Sequence, residues 1–281
     1  VPETDTYSPE VASSTTTDIG SNSGSNGFDG DFSEIHKFRK VLNHAEKTII
    51  ANYYSAKYDV ALTASDFYAG DNSVNGDYDF DVIGIGTSTS GSVPGSHSNS
   101  IGFDGLSLIA NAGFEDDDYV FSGHDGTVNG FNTTDFDGLS GSGSRWERIW
   151  YIDKTDASTA LSVDLIFDFS DAGIGTVPTY PSNYRLIYRS GQTGNWSEVV
   201  TASSISSDKI TFSGLGLNDG DGYYTIATLQ SFDLSVTSGT TNESGTTAQF
   251  DVILGAQPSN DVVLSVTSGD TGEGTAEQCT P

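Results

Sequence analysis

The residues that could do chemistry are scattered along the chain. The four histidines, His36, His44, His97 and His124, show no metal-ligand spacing such as H-E-x-x-H. His124, in the run SGHDG beside Asp125, is the one that can be drawn as a general base. A histidine in a strand-end turn more often serves structure. No G-x-S-x-G nucleophile elbow is present. The pair Gly214 and Gly216 precedes a strand and lacks the lysine of a phosphate-binding loop. Glu115–Asp118 is the densest acid run and could supply the paired carboxylates of a glycoside hydrolase. It also reads as a solvated turn ahead of a strand. Cys279 is the only cysteine, which excludes an intrachain disulfide and a thiolate metal cluster.

Calcium suits these acids better than catalysis does. It takes about six to eight oxygens from carboxylates and carbonyls, often in loops. The stretches FDGDF (Asp29, Asp31), NGDYDFD (Asp77, Asp79, Asp81), the Glu115–Asp118 run and NDGDG (Asp219, Asp221) offer the right ligand types, without the spacing of an EF-hand. Calcium is therefore the expected cofactor, with Asp29, Asp31, Asp219 and Asp221 among its ligands; a solvated acidic turn is the plain alternative for each stretch. Aromatic rings carry the other chemistry, because a flat ring stacks on a sugar face. Trp196, Tyr180 and Tyr223 are the candidates for such a site if they are exposed, and ordinary packing is the alternative for each. Asn132, Asn195 and Asn242 head Asn-x-Ser/Thr sequons, relevant only where the source glycosylates them.

The whole chain narrows the partners. It has 281 residues with 11 Lys plus Arg against 39 Asp plus Glu, a net charge of −28. Nucleic acid would be repelled, as would an anionic membrane surface. No apolar run approaches the ~20 residues of a membrane-spanning helix, so no membrane insertion is expected. A basic segment followed by an apolar one, the mark of a signal peptide, is missing from these residues. The chain contains no Met, which suggests a processed protein or an excised piece. Its 33 glycines and many short polar residues suit turns between strands. The composition predicts a secreted, extracellular or cell-surface all-β protein: β-sandwich domains with one short α-helix.

Four zones position the candidate residues. Residues 1–27 predict an extended arm. Residues 28–65 predict a strand with Phe28, Phe32 and Phe38 on one face, then a helix. In that helix Asn43 and Glu46 make a capping box, and Leu42, Ala45, Ile49, Tyr53 and Ala56 recur at helical spacing. Residues 66–230 predict the main β-sandwich. Its strands are expected over Asp79–Gly86, Gly105–Ala110, Asp118–Ser122, Arg145–Asp153, Leu161–Phe169, Asn183–Arg189, Glu198–Val200, Lys209–Phe212 and Gly222–Ala227. Residues 231–281 predict part of a second β domain in which LSVTSG occurs twice, at Leu234–Gly239 and Leu264–Gly269, each followed by an acidic turn.

These stretches also carry a family likeness. Phe28–Leu62, with Gly30, Asp31, Phe32, Glu34, Ile35, Leu42 and Glu46 in pattern, resembles the last strand and closing helix of bacterial laminin-G/concanavalin-like sandwiches. DVIGIG, DYVFSGHDG, RWERIWYIDKTD, NYRLIYRS and DGDGYYTIATL resemble a β-rich module that follows such sandwiches in large secreted bacterial surface proteins of adhesin type. Residues 231–281 resemble the first half of a Calx-beta repeat, and that likeness implies calcium ligation by Glu243, Asp270 and Glu273. The resemblance implies a non-catalytic structural or adhesive segment, not an enzyme. Its partners would be copies of itself or neighbouring domains of the same protein, joined into a fibre by strand exchange. The alternative is a carbohydrate-binding accessory module of a secreted glycan-degrading enzyme, with a glycan as partner. A hydrolase, the third reading, rests on the acid runs alone.

Overall fold

The computed structural model describes residues 21–22, 26–27, 30–102, 104–139, 143–155, 161–175, 178, 180–217, 221–229, 232–238 and 248–254. The chain divides into two compact units, Val1–Val41 and Leu42–Pro281. In the first, β1 (Ser21–Asn22) pairs antiparallel with β2 (Asn26–Gly27). The strand expected over residues 28–38 is absent from its described part, residues 30–38, which is irregular. Alternation alone does not hold a strand without a neighbour to pair with; here Phe32, Ile35 and Phe38 stand roughly half exposed.

The second unit begins with α1 (His44–Tyr58). Its capping box forms as expected: the Asn43 side chain accepts from the Glu46 amide at 2.8 Å, and Glu46 accepts from the Asn43 amide at 3.0 Å. Asp59, in the left-handed region, ends it.

The strands that follow are β3 (Phe80–Ser88), β4 (Gly95–His97), β5 (Asn99–Ile101), β6 (Leu106–Ala112), β7 (Asp118–His124), β8 (Phe131–Asn132), β9 (Gly143–Trp146), β10 (Trp150–Thr155), β11 (Ser162–Asp168), β12 (Tyr184–Arg189), β13 (Ser197–Thr201), β14 (Ser204–Ser206), β15 (Lys209–Leu215) and β16 (Gly222–Leu229). Among the described residues they form two antiparallel sheets. One runs β13-β12-β16-β10-β7-β3-β4 with β9 and β8 attached at β16, and the other runs β14-β15-β11-β6-β5. The fold is an all-β sandwich with a single helix. β17 (Phe232–Ser238) and β18 (Gln249–Leu254) make a further antiparallel pair.

The inner faces of the sheets interdigitate. Leu106, Leu108, Val163, Leu165, Phe167, Ile210 and Phe212 of the smaller sheet meet Ile85, Val120, Trp150, Ile152, Leu186, Tyr224 and Ile226 of the larger. β11 alternates buried with half-buried positions, as a strand with one covered face must. Every residue of β7 is buried, because the larger sheet is covered on its outer face too. There Ala45 and Ala56 of α1, with Tyr68 and Tyr78 from the following segment, pack on Val82, Tyr119, Phe121 and Tyr151. The helix thus shares a core with the sandwich, and the domain boundary expected at residue 65 does not separate them. The strand expected over Arg145–Asp153 is interrupted at residues 147–149, where Arg148 turns away from the sheet.

Candidate functional site

One end of the sandwich gathers a titratable cluster. β3 carries a register shift against β7 between Phe80 and Ile83, and Asp81 there has φ +47°. A strand normally sends neighbouring side chains to opposite faces; a bulge re-aims them. Both Phe80 and Asp81 consequently reach His124, the last residue of β7. The Phe80 ring stacks on the imidazole with centroids 5.8 Å apart and planes at 17°, and Trp150 meets the imidazole edge-on. His124 Nε2 lies 3.1 Å from Asp81 Oδ2 and 3.7 Å from Asp104 Oδ2.

The other ring nitrogen fixes the tautomer. Nδ1 accepts the Gly126 amide at 3.0 Å, so the proton of the neutral ring sits on Nε2 and points at the two carboxylates. Burial, seconded by the positive charge of Arg148, pulls His124 below the usual histidine range against the opposing pull of Asp81 and Asp104. Arg148 is itself 6% exposed. Its Nε donates to the Thr127 carbonyl and its Nη1 to the Asp104 carbonyl, each at 2.8 Å, with Asp104 Oδ2 at 3.5 Å. Hydrogen bonds from a charged donor are worth about 1.5–3 kcal/mol each. This one residue therefore fastens the β5–β6 loop to the break between β9 and β10 and closes that end. Thr225 Oγ1 takes up the Arg148 carbonyl that the break releases.

Residues 46–221 match the family described as Domain of unknown function (DUF8202). The chain belongs to this family. No curated protein and no solved structure matches the chain. The DUF8202 match begins inside α1 and ends at the residue before β16. It takes in Phe80, Asp81, Asp104, His124 and Arg148, as well as the packing of the helix on the sandwich.

Asp81, Asp104 and His124 place one ligand atom each within 4.8 Å of one another, close enough for a metal ion. Their chemistry does not fit one. A metal at Nε2 needs Nδ1 to carry the ring proton, and Nδ1 already faces the Gly126 N–H. The Arg148 guanidinium beside Asp104 adds a repelling charge.

Trp196, Tyr223, Tyr180 and Asp221, also singled out from the sequence, are not among the residues of this cluster. Trp196 is 1% and Tyr223 3% exposed, so neither presents a stacking face. The Trp196 ring is covered by the Arg189 guanidinium at 4.2 Å, and its Nε1 donates to Asp135. Asp135 also accepts from Arg145 at 2.6 Å and Arg189 at 3.2 Å. Tyr223 donates to the Asn75 carbonyl. Tyr180 is 38% exposed just before the short helical turn Pro181–Asn183. Asp31 is exposed in irregular chain. Asp221 accepts the Lys154 amide at 2.9 Å and bonds to the Asp153 carboxyl. Asp29, Asp219, Glu243, Asp270 and Glu273 lie outside the described residues. In the Glu115–Asp118 run, Asp116 accepts from the Thr89 amide, Asp117 from Ser88 Oγ and Asp118 from the Glu115 amide, so the run is a bonded turn.

Phe80, Asp104 and Arg148 were not legible as a group. The H-D-G run marks His124, but its partners come from a bulge and from two loops far apart in the chain.

Proposed function

We propose that this protein is a non-catalytic structural or adhesive segment of a secreted bacterial cell-surface protein. The state of His124 carries the reading. A general base needs a free lone pair, and the one this ring has is held by the Gly126 amide while its N–H is directed at carboxylates. The best candidate for acid–base work thus joins the β3 bulge, the β5–β6 loop and the turn after β7. The acidic, Gly-rich composition and the likeness to surface-protein modules support the extracellular setting.

Assembly with copies of itself or with neighbouring domains follows from the same reading. The sandwich's outermost strands are short, three residues in β4, β5 and β14 and five in β13. Short edges resist uncontrolled sheet extension. Strand exchange would therefore run through the segments flanking the sandwich, with residues 1–27 as the donor candidate.

Incubation with a panel of polysaccharides, read by reducing-end release, tests the non-catalytic reading. No turnover is expected. Turnover that disappears in Asp81→Asn or in His124→Gln would overturn it. Light scattering with micrographs of the same peak tests assembly: a polymer supports the fibre, and a monomer at the single-chain mass removes it.

A further inference from the structure

The tripeptide Val-Asn-Gly occurs twice, at residues 74–76 and 128–130. In an Asn-Gly pair the glycine puts no side chain between its own amide nitrogen and the asparagine side-chain carbon, so the backbone can attack that carbon. The two copies are matched in local sequence. A difference in their reactivity is therefore set by the fold.

The first copy is pinned. Asn75 Nδ2 donates to the Ala69 carbonyl at 2.8 Å, and the Asn75 carbonyl accepts from Tyr223 Oη at 2.7 Å. The Gly76 amide donates to the Ser73 carbonyl at 3.4 Å. The second copy is not pinned. Both polar atoms of the Asn129 side chain, Oδ1 and Nδ2, are buried and meet no hydrogen-bond partner. Buried amides are nearly always bonded, so a side chain with both atoms orphaned is exceptional. Among the described residues the Gly130 amide donates to nothing either. Neither the nucleophile nor the carbon it would attack is restrained. Ring closure between them is intramolecular and needs no water.

We propose that Asn129–Gly130 is a site of spontaneous deamidation that loosens this end of the sandwich. The Gly130 nitrogen attacks Asn129 Cγ and a C–N bond forms. The Cγ–Nδ2 bond breaks, and the side-chain nitrogen leaves as ammonia, taking the Gly130 N–H proton. Water then opens the five-membered imide at either carbonyl, leaving aspartate or isoaspartate at position 129. The new carboxylate cannot stay where the amide was buried without a partner. On the isoaspartate branch the backbone also gains one carbon between position 129 and Gly130. Thr127 and Gly130 flank that point. Their carbonyls accept from Arg148 Nε at 2.8 Å and from the Glu147 amide at 3.0 Å. The two bonds cannot both keep their geometry across a lengthened chain, so the hold of Arg148 on this loop weakens.

Ageing the intact chain in warm, mildly alkaline buffer tests the assignment. Peptide mass mapping reads the gain in mass when NH2 is replaced by OH. The peptide carrying Asn129 should convert at least about tenfold faster than the one carrying Asn75, whose hydrogen bonds must break first. In denaturing urea, where the fold no longer separates the two copies, their rates should be equal. Gly130→Ala screens the nucleophile and should slow conversion at position 129 about tenfold. Its Cβ would stand 3.0 Å from Glu147 Oε2, the far end of a flexible side chain, so a folded variant is expected and is checked by its melting temperature. The deamidated fraction, separated by anion exchange, should melt about 3 °C below fresh protein. Equal rates at the two copies in the folded chain, faster loss at Asn75, or no slowing in Gly130→Ala overturns the site. A deamidated fraction that melts with the fresh protein overturns the loosening.

Discussion

Gly123 faces the outer side of the larger sheet where Tyr68 and Tyr78 cross it. A Cβ there would lie 2.2 Å from the Tyr78 carbonyl oxygen and 2.4 Å from Tyr68 Oη. Neither can yield cheaply, since Tyr68 is 1% exposed and donates from Oη to that same carbonyl. Gly123→Ala should therefore destabilise the sandwich by about 2–3 kcal/mol in urea unfolding, the usual penalty for overpacking. A second prediction concerns Asp135. Burial raises its pKa, but the hydrogen bond and charge of Arg145, with Arg189 behind it, outweigh that and hold its carboxyl below the ordinary range. Asp135→Asn would leave two guanidiniums, 4% and 7% exposed, without their counter-charge. Removing one partner of a fully buried pair costs about 3–5 kcal/mol. Asp135's side chain is 35% exposed, so about 2 kcal/mol is expected, with a shift in Trp196 emission. The glycine signal is readable in sequence: a glycine inside a strand pattern, as in DVIGIG and FSGHDG, marks close backbone approach. The Asp135 cluster is not, because nothing local says that Trp196 lies under an arginine on β12.

At the scale of elements, what is local was legible and what is tertiary was not. The capping box of α1 is written in four consecutive residues, and it forms. Asn43→Ala should cost about 1 kcal/mol, and Asn43→Ser should recover most of that, both measured by thermal unfolding. Asn43 Nδ2 also donates to the Ser96 carbonyl at 3.1 Å, a tie that serine is too short to restore. The long sandwich strands carry β-branched and aromatic residues in alternation, and they form close to the expected bounds. β4, β5 and β14, reading GSH, NSI and SIS, are polar three-residue edges with no pattern of their own. Their partners make them strands. The break at residues 147–149 has the same kind of cause. RWERIWYI reads as one continuous strand, and it divides because Arg148 satisfies carbonyls on two distant loops rather than staying in the ladder.

At the scale of the whole molecule, sandwich class follows from strand-turn spacing, but strand order and the covered outer face depend on which residues meet in space. One consequence of that cover is a pH dependence. Asp153, 5% exposed, lies under the segment that leads into β3 and accepts the Ala69 amide at 2.5 Å. Burial, then the charge and hydrogen bond of Asp221, push its carboxyl up from 3.8 to about 7. Burial and the neighbouring Asp77 do the same to Asp79. Both groups bind their proton more tightly folded than unfolded. Their stabilisation is complete below the ordinary aspartate range and is lost as pH rises through about 7. His124, pulled down from 6.5, acts oppositely, and its stabilisation fades as pH falls below that value. Between pH 8 and pH 6.5 the aspartates titrate with little opposition from it. In a chain of net charge −28, added protons also relieve self-repulsion. The melting temperature should therefore rise by about 3 °C on acidification from pH 8 to pH 6.5. Asp153→Asn keeps the carbonyl that accepts the Ala69 amide and removes the ionisation. It should exceed the parent at pH 6.5 and by more at pH 8, and flatten the slope between. A melting temperature that falls across this window, or a slope unchanged by the substitution, would show that the buried aspartate is held ionised and that another charge compensates it.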